Sequence, residues 1–257
     1  MKTLETLSEG ARGRLITLAA SLGEAFGADL VSVALYGSAA RGDETTGSDL
    51  NVVVVVKDLS LESLERATPV TRAWQASGNR PLLFFSPEWI ERSGDVFPLE
   101  FSDMRQWHVV IRGADPFAAL ESSHESLRAQ CESELKTKLI HLRTGYMELH
   151  QDEAALARLL AASLAPMVAL CRGVLRLAGQ EAPVHADDAV GRAAALCGFD
   201  ASVFVEVSAI KQGGARAASV PVKPLFRRYY AQVEAMARAV DGGLSMGGGQ
   251  AARGTRT

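Results

Sequence analysis

The sequence has 257 residues, of which 47% are hydrophobic and 22% are charged. This length and composition allow a substantial buried core and two modest domains, which excludes a disordered chain. The formal net charge is −3, from 27 basic and 30 acidic residues. A chain without an overall positive field is a poor partner for a large nucleic acid, because it cannot neutralise many phosphates.

The first residues of the chain indicate its location, and the spacing of its cysteines indicates their chemistry. The segment from Met1 to Arg14 is polar and charged, unlike a secretory signal, and no apolar run approaches the ~20 residues that span a membrane. We therefore expect a cytoplasmic protein without a membrane partner. The three cysteines are far apart in the sequence, a pattern that predicts neither a disulfide framework nor a zinc site. Nothing in the sequence indicates an oligomeric state.

Helix and strand patterns alternate over the first hundred residues. Apolar residues recur every three or four positions over residues 4–26, which predicts an amphipathic helix. Residues 31–36, 52–56 and 81–85 are rich in β-branched, aromatic or other apolar side chains and predict strands. Helix-like spacing covers residues 60–76, with Ser60 as the N-cap.

The second half of the chain has a different composition. After the turn signal at Asp115-Pro116, Ala, Leu, Glu and Arg predominate, which is typical of helices. Glycine and proline breakers divide this half into a predicted bundle of about four helices. Their predicted bounds are 117–151, 153–178, 187–197 and 223–240.

The patterns together predict an α+β fold in three parts. Residues 1–115 form a domain in which helices flank a sheet, and residues 116–240 form an all-α helical bundle. Residues 241–257 are Gly-rich and lack an apolar period, so we expect a disordered tail.

One short stretch of the first domain carries residues suited to binding phosphates. A predicted strand ends at Gly37-Ser38, where the start of a helix exposes N–H groups and a hydroxyl and glycine lets an anion come close. Arg41, within one turn of Ser38, can add a charge-assisted contact, although a solvated surface arginine fits the sequence equally. Ser48 and Asp49 precede the next strand, where Asp49 can hold a divalent ion that bridges the phosphates.

This stretch resembles the nucleotidyltransferase superfamily related to DNA polymerase beta, which includes antibiotic adenylyltransferases. The pattern of the superfamily is Gly-Ser-x-Ala-x-Gly, a short spacer, and Ser-Asp-hydrophobic-Asp-hydrophobic. The matching residues are Gly37, Ser38, Ala40, Gly42, Ser48, Asp49, Leu50 and Val52. An ordinary loop between strands is the alternative, and two sub-motifs in the right order and spacing argue against it. The resemblance implies a mixed sheet flanked by helices, followed by a helical bundle.

The resemblance also implies a reaction. A nucleoside monophosphate is transferred from a nucleoside triphosphate, ATP or another, to a hydroxyl acceptor, and pyrophosphate is released. Magnesium is the implied cofactor, bound by Asp49, because metal ions in such a site neutralise the phosphates and lower the pKa of the attacking hydroxyl. Gly37, Ser38, Arg41 and Ser48 are the predicted nucleotide-binding residues. The sequence does not indicate whether the acceptor is a small molecule or a protein.

The sequence departs from the family pattern at the second carboxylate, where it has Asn51. The family places carboxylates at alternate positions because residues i and i+2 of a strand share a face and reach the same metals. An asparagine is neutral, so the site loses a negative charge where two cations must be held together. The third carboxylate, expected from the neighbouring strand, is also absent because residues 82–85 are entirely apolar. We therefore predict nucleotide binding with weak or lost transfer.

Two alternatives stay open at this point. In the first, Glu100 or Asp103 completes the site of an active adenylyltransferase, although Glu100, between Leu99 and Phe101, also fits an edge strand that faces solvent. Glu88 is expected to open a short helix instead of acting as the base. In the second alternative the protein is a non-catalytic interaction module whose helical half binds a partner protein.

Overall fold

The computed structural model describes residues 3–42, 49–213 and 220–244. The chain divides into two compact units, Met1–Ser126 and Leu127–Thr257. Ser48, one of the predicted nucleotide-binding residues, lies outside the described residues, as does the predicted disordered tail from residue 245 onward.

The first unit alternates helices and strands, as its sequence pattern predicted. Short 3₁₀ turns at Leu4–Thr6 and Gly27–Asp29 flank its first helix. In chain order its elements are α1 (Glu9–Phe26), β1 (Leu30–Tyr36), α2 (Ser38–Arg41), β2 (Asn51–Val56), α3 (Leu61–Glu65), α4 (Thr68–Ala76), β3 (Leu83–Phe85), α5 (Pro87–Arg92), α6 (Pro98–Gln106) and β4 (His108–Gly113).

Capping residues explain where several of these helices begin. The Ser60 hydroxyl accepts a hydrogen bond from the backbone N–H of Ser63, so Ser60 is the N-cap of α3 as predicted. The predicted single helix over residues 60–76 is nevertheless wrong, because α3 ends at Glu65 and α4 begins at Thr68. Pro69 lies in the first turn of α4. A proline lacks the N–H that a continuing helix needs but is tolerated in a first turn.

Two elements after β3 differ from the prediction. Glu100 does not lie on an edge strand, because Pro98 begins α6 and Glu100 falls in its first turn. The buried neighbours Leu99 and Phe101 therefore pack from a helix and not from one face of a strand. Strand β4 follows directly and was not predicted.

The strands form one mixed sheet in the order β3-β2-β1-β4. β1 is antiparallel to both β2 and β4, whereas β2 and β3 are parallel. The register sets Tyr36, the last residue of β1, opposite Asn51 of β2 and His108 of β4. The turn after β1 therefore lies beside the chain that enters β2, which is where the two halves of the sequence motif meet.

The two faces of the sheet bury separate cores. On one face, α1 packs through residues such as Leu15 and Leu22 against the even-numbered valines of β2. On the other face, α5 and α6 pack against Val53 and Val55 through residues that include Phe101. The unbroken apolar run of β2 is therefore covered on both faces, as its sequence predicted.

The second unit is helical in all the secondary structure described for it. Its elements are α7 (His124–Leu149), α8 (Glu153–Leu177), α9 (Ala186–Cys197), α10 (Ser202–Gln212) and α11 (Val222–Asp241), with α7 beginning just before the unit boundary. Four of these correspond to predicted helices, and α10 was not predicted. Helix α8 packs against α9, α10 and α11.

Helix α8 is long and apolar enough, by length and composition, to cross a membrane, with a mean hydropathy of 1.8 in its most apolar window. The sequence predicted this segment only as a helix of the bundle. Its packing against three helices is the environment of a core helix. Within it, the buried Arg172 donates hydrogen bonds to the carbonyls of Pro183 and Val184, 3.1 and 2.6 Å away, so its charge is held by backbone acceptors.

The first testable prediction concerns the core beneath α6. Phe101 is 2% exposed and contacts the rings of Phe85, Trp89 and Phe117. Phe101→Ala is expected to lower the free energy of unfolding of this unit by about 3–5 kcal/mol, because it removes packing and leaves a cavity. All three tryptophans of the chain lie in the first unit, so tryptophan fluorescence during urea denaturation follows this unit.

Phe97→Ala is the matched control. Phe97 belongs to the same cluster, with ring contacts to Trp89 and Phe101, but it is 40% exposed, so its removal is expected to cost much less. Equal losses from the two substitutions would contradict the core described for this face of the sheet.

Candidate functional site

The turn after β1 requires glycine. Gly37 has φ 81° and ψ −154°, a conformation that side-chain-bearing residues rarely adopt. It is followed by the four-residue helix α2, which ends at Gly42 with φ 87° and ψ 22°, and the Gly42 N–H donates to the Ser38 carbonyl. Ala39 and Ala40 are buried between them. The Gly-Ser-x-Ala-x-Gly spacing is thus two glycine turns around one helical turn.

Asn51 packs directly against this turn. A Cβ atom added at Gly37 would lie 3.1 Å from Asn51 Nδ2, so the missing side chain of Gly37 is what lets the amide approach the backbone. Asp49 stands two residues before Asn51, at the entrance to β2. The structure therefore brings Gly37, Ser38, Asp49 and Asn51 to one end of the sheet.

Asp49 already has a cationic partner. Its Oδ2 accepts a hydrogen bond from Arg80 Nε at 3.2 Å, with side-chain exposures of 37% for Asp49 and 71% for Arg80. The preceding Asn79 fixes the loop, because its Oδ1 accepts from the Leu50 N–H at 3.4 Å. Sequence reasoning missed Arg80. The sequence carries no signal for it, because only the parallel pairing of β2 with β3, in which Val53 lies opposite Leu83, puts residue 80 level with residue 50.

Arg41 contacts protein groups. Its Nη1 lies 3.2 Å from Asp103 Oδ2, and its side chain is 12% exposed. The guanidinium stands over the Trp107 ring, 5.3 Å from the centroid, a cation–π geometry. The interpretation of Arg41 as a solvated surface residue is therefore wrong. In this structure Arg41 joins α2 to α6, and its contact with phosphate stays a prediction.

Two of the candidate carboxylates are paired with arginines. Asp103 is paired with Arg41, and Glu100 is exposed on α6. Glu88 opens the short helix α5, as predicted, and pairs with Arg92 at 3.0 Å. Within residues 3–42, 49–213 and 220–244, no group of three or more Asp, Glu, His or Cys side chains is placed to hold a metal ion.

Apolar side chains line the neighbouring strand β3 on the sheet face that also carries Asn51. Leu83 and Phe85 of β3 pack on the same face as Val53 and Val55 of β2, and alternation along the chain puts Asp49 and Asn51 on that face too. Phe85 stacks on Trp89 of α5, with centroids 4.4 Å apart and rings 6° from parallel. This side of the site is therefore an aromatic cluster.

Two polar residues, Tyr36 of β1 and His108 of β4, lie on the strands next to this site. Burial raises the pKa of Tyr36, and the positive charge of Arg80 partly offsets the rise, so the phenol stays protonated at neutral pH and can donate a hydrogen bond. His108 is buried, with Nδ1 2.8 Å from the Met104 carbonyl and Nε2 3.0 Å from Asp115 Oδ1. Both nitrogens of His108 are engaged within the protein, which gives it a structural role.

Comparison with known proteins identifies the fold. No protein-family model and no curated protein matches the sequence. Among solved structures, the chain is similar to the spectinomycin adenyltransferase AAD(9) from Enterococcus faecialis, whose structure was determined with ATP and spectinomycin. The TM-score is 0.54 at 12% identity, and the match covers 86% of this chain and 99% of that chain. The chain therefore shares the fold of this adenyltransferase.

The second prediction tests the close approach of Gly37 to Asn51. Gly37→Ala is expected to lower the free energy of unfolding of the first unit by about 1–3 kcal/mol, because an alanine at this positive φ is strained and its methyl group meets the Asn51 amide. Gly13→Ala is the control. Gly13 lies in the middle of α1 with open space around its Cα, so alanine there is expected to stabilise the unit by up to about 1 kcal/mol. Changes of the same sign at both positions would contradict this description.

Proposed function

We propose that the first unit binds a nucleoside triphosphate and that nucleotidyl transfer by this chain is weak or lost. The observation that carries the proposal is the pairing of an intact Gly37-Ser38 turn and Asp49 with a neutral Asn51, while the part of the chain that the structure describes has no cluster of acidic, His or Cys side chains placed to hold a metal ion. The phosphate-facing half of the family motif is kept, whereas the metal-binding half is reduced to one residue.

The nucleotide part of the proposal rests on fold and geometry together. The structurally similar adenyltransferase was determined with ATP. In the present chain the partly exposed Ser38 follows a turn whose first residue has no side chain, so a phosphate oxygen can approach both the backbone and the hydroxyl. We therefore propose ATP or another nucleoside triphosphate as the ligand.

The transfer part of the proposal rests on the donors available for metal. Two magnesium ions in such a site stand roughly 3.5–4 Å apart and repel each other unless carboxylates neutralise them. Asp49 provides one carboxylate, Asn51 is neutral, and the neighbouring strand β3 (Leu83–Phe85) is entirely apolar. These residues do not fit a pair of ions. The apolar strand also supplies no base, and loss of a general base alone reduces a rate by about 10²–10⁴-fold.

The alternative of an active adenylyltransferase needs Glu100 or Asp103 beside Asp49. Asp103 already forms an ion pair with Arg41, which argues against its use as a metal ligand. We assign no acceptor, either small molecule or protein, because the described strand β3 offers no carboxylate to activate its hydroxyl.

The third prediction concerns nucleotide binding. Calorimetric titration of the full chain with ATP, GTP, CTP and UTP, each in magnesium and in EDTA, is expected to detect binding of at least one of them below millimolar concentration. Ser38→Ala is expected to weaken it several-fold, because one hydroxyl contact to phosphate is lost. Failure of all four nucleotides to bind in either buffer would remove the nucleotide site.

The fourth prediction concerns transfer. Radiolabelled ATP, incubated with a panel of hydroxyl compounds that includes spectinomycin, is expected to give no labelled product and no pyrophosphate with the natural sequence. Asn51→Asp returns a metal ligand and is the variant in which slow transfer is expected to appear. Transfer by the natural sequence that disappears in Glu100→Gln or Asp103→Asn, with ATP binding retained, would establish the alternative instead.

A further inference from the structure

We propose that the guanidinium of Arg80 takes the position of the family's metal on Asp49, so that this site binds the triphosphate of a nucleotide without a divalent cation. The inference rests on the proposed function of the same site and changes how the nucleotide is held. The sequence pattern predicted magnesium on Asp49. The contacts around Asp49 point to an arginine.

The first step is the charge of the site. A three-carboxylate design presents three negative charges to its metal ions, whereas Asp49 and Arg80 together are neutral. Hard divalent cations bind carboxylate-rich sites and dehydrate reluctantly. A neutral pair with a neutral amide beside it therefore offers little to attract them.

The second step is the position of Arg80. Its backbone is held at the entrance to β2, because Asn79 is only 9% exposed and contacts Leu50 N–H, the Trp74 carbonyl and Ser77 Oγ. The loop is therefore fixed by buried hydrogen bonds, while the Arg80 side chain itself is 71% exposed. The guanidinium also lies near the end of β1, where its charge partly offsets the rise that burial causes in the pKa of Tyr36.

Arg80 has further donors besides the Nε group that bonds to Asp49. Asp49 Oδ2 bonds to the Nε group, so the Nη1 and Nη2 groups can contact phosphate oxygens while Asp49 keeps the side chain oriented. The forked guanidinium suits two phosphate oxygens at once. A carboxylate that positions an arginine for phosphate is a different use of Asp49 from metal ligation.

The fourth step explains Asn51. Replacing a carboxylate by a carboxamide exchanges an acceptor-only group for one that also donates. The Asn51 amide lies against Gly37, so its N–H groups are beside the turn that the phosphates approach. An aspartate here would repel a phosphate that is not shielded by metal. Asn51 and Arg80 therefore favour the same ligand, an uncomplexed triphosphate.

The experiment is calorimetric titration of the full chain with ATP, or with the nucleotide that binds best, in magnesium and in EDTA. We expect dissociation constants within about threefold of each other in the two buffers. Arg80→Gln is expected to weaken binding in EDTA at least about tenfold, the effect of losing a bidentate charged contact. Titration with Mn²⁺ alone is expected to show no binding to the natural sequence.

Arg238→Gln is the matched control. Arg238 is also 71% exposed and also faces a carboxylate, Glu234 at 4.0 Å, but it lies on α11. Its substitution is expected to leave nucleotide binding unchanged, which separates the loss of a specific contact from the loss of one positive charge.

The outcomes separate this inference from the proposed function. Binding that requires magnesium, or that is indifferent to Arg80→Gln, would overturn the arginine assignment and leave the nucleotide site standing. Absence of binding in both buffers would overturn both. Binding in EDTA that depends on Arg80 supports both.

Discussion

The close contact between Gly37, which has no side chain, and Asn51, the first residue of β2, determines the rest of this site. Gly37 ends β1 in a conformation that only glycine adopts easily, and the antiparallel register sets the adjacent Tyr36 opposite Asn51. The backbone turn and the Asn51 amide consequently meet, and Asp49 follows at the same end of the sheet. Any phosphate that approaches the turn encounters these side chains.

The sheet face beside this contact carries different side chains from those that a metal-dependent transferase needs. Where the family pattern implies a carboxylate on the neighbouring strand, Leu83 and Phe85 pack into an aromatic cluster with Trp89 and Phe101. These partly buried apolar side chains stabilise the unit but offer no ligand or base. Among the described residues, Asp49 is paired with Arg80, and under our proposal this pair favours an anion held by hydrogen bonds over an anion held through metal.

Much of the fold follows from local patterns, because a strand covered on both faces and a capped helix each leave a clear signature. The motif also located Gly37 and Asp49 correctly at one end of the sheet. Helix α10 escaped because its valines and phenylalanine favour strands, and tertiary packing overrides that preference. The role of Arg80 was not predicted, because in the sequence it is indistinguishable from other surface arginines. Only the parallel pairing of β2 and β3 brings it to Asp49.

The most direct test of the account is a crystal structure of the chain grown with ATP and Mn²⁺, with anomalous scattering measured at the manganese edge. The account predicts the triphosphate at the Gly37 turn, contacted by Arg80 Nη1 and Nη2, with Asp49 still bonded to Nε and no anomalous peak beside it. A manganese peak that bridges Asp49 and the phosphates, with Arg80 displaced, would contradict the account.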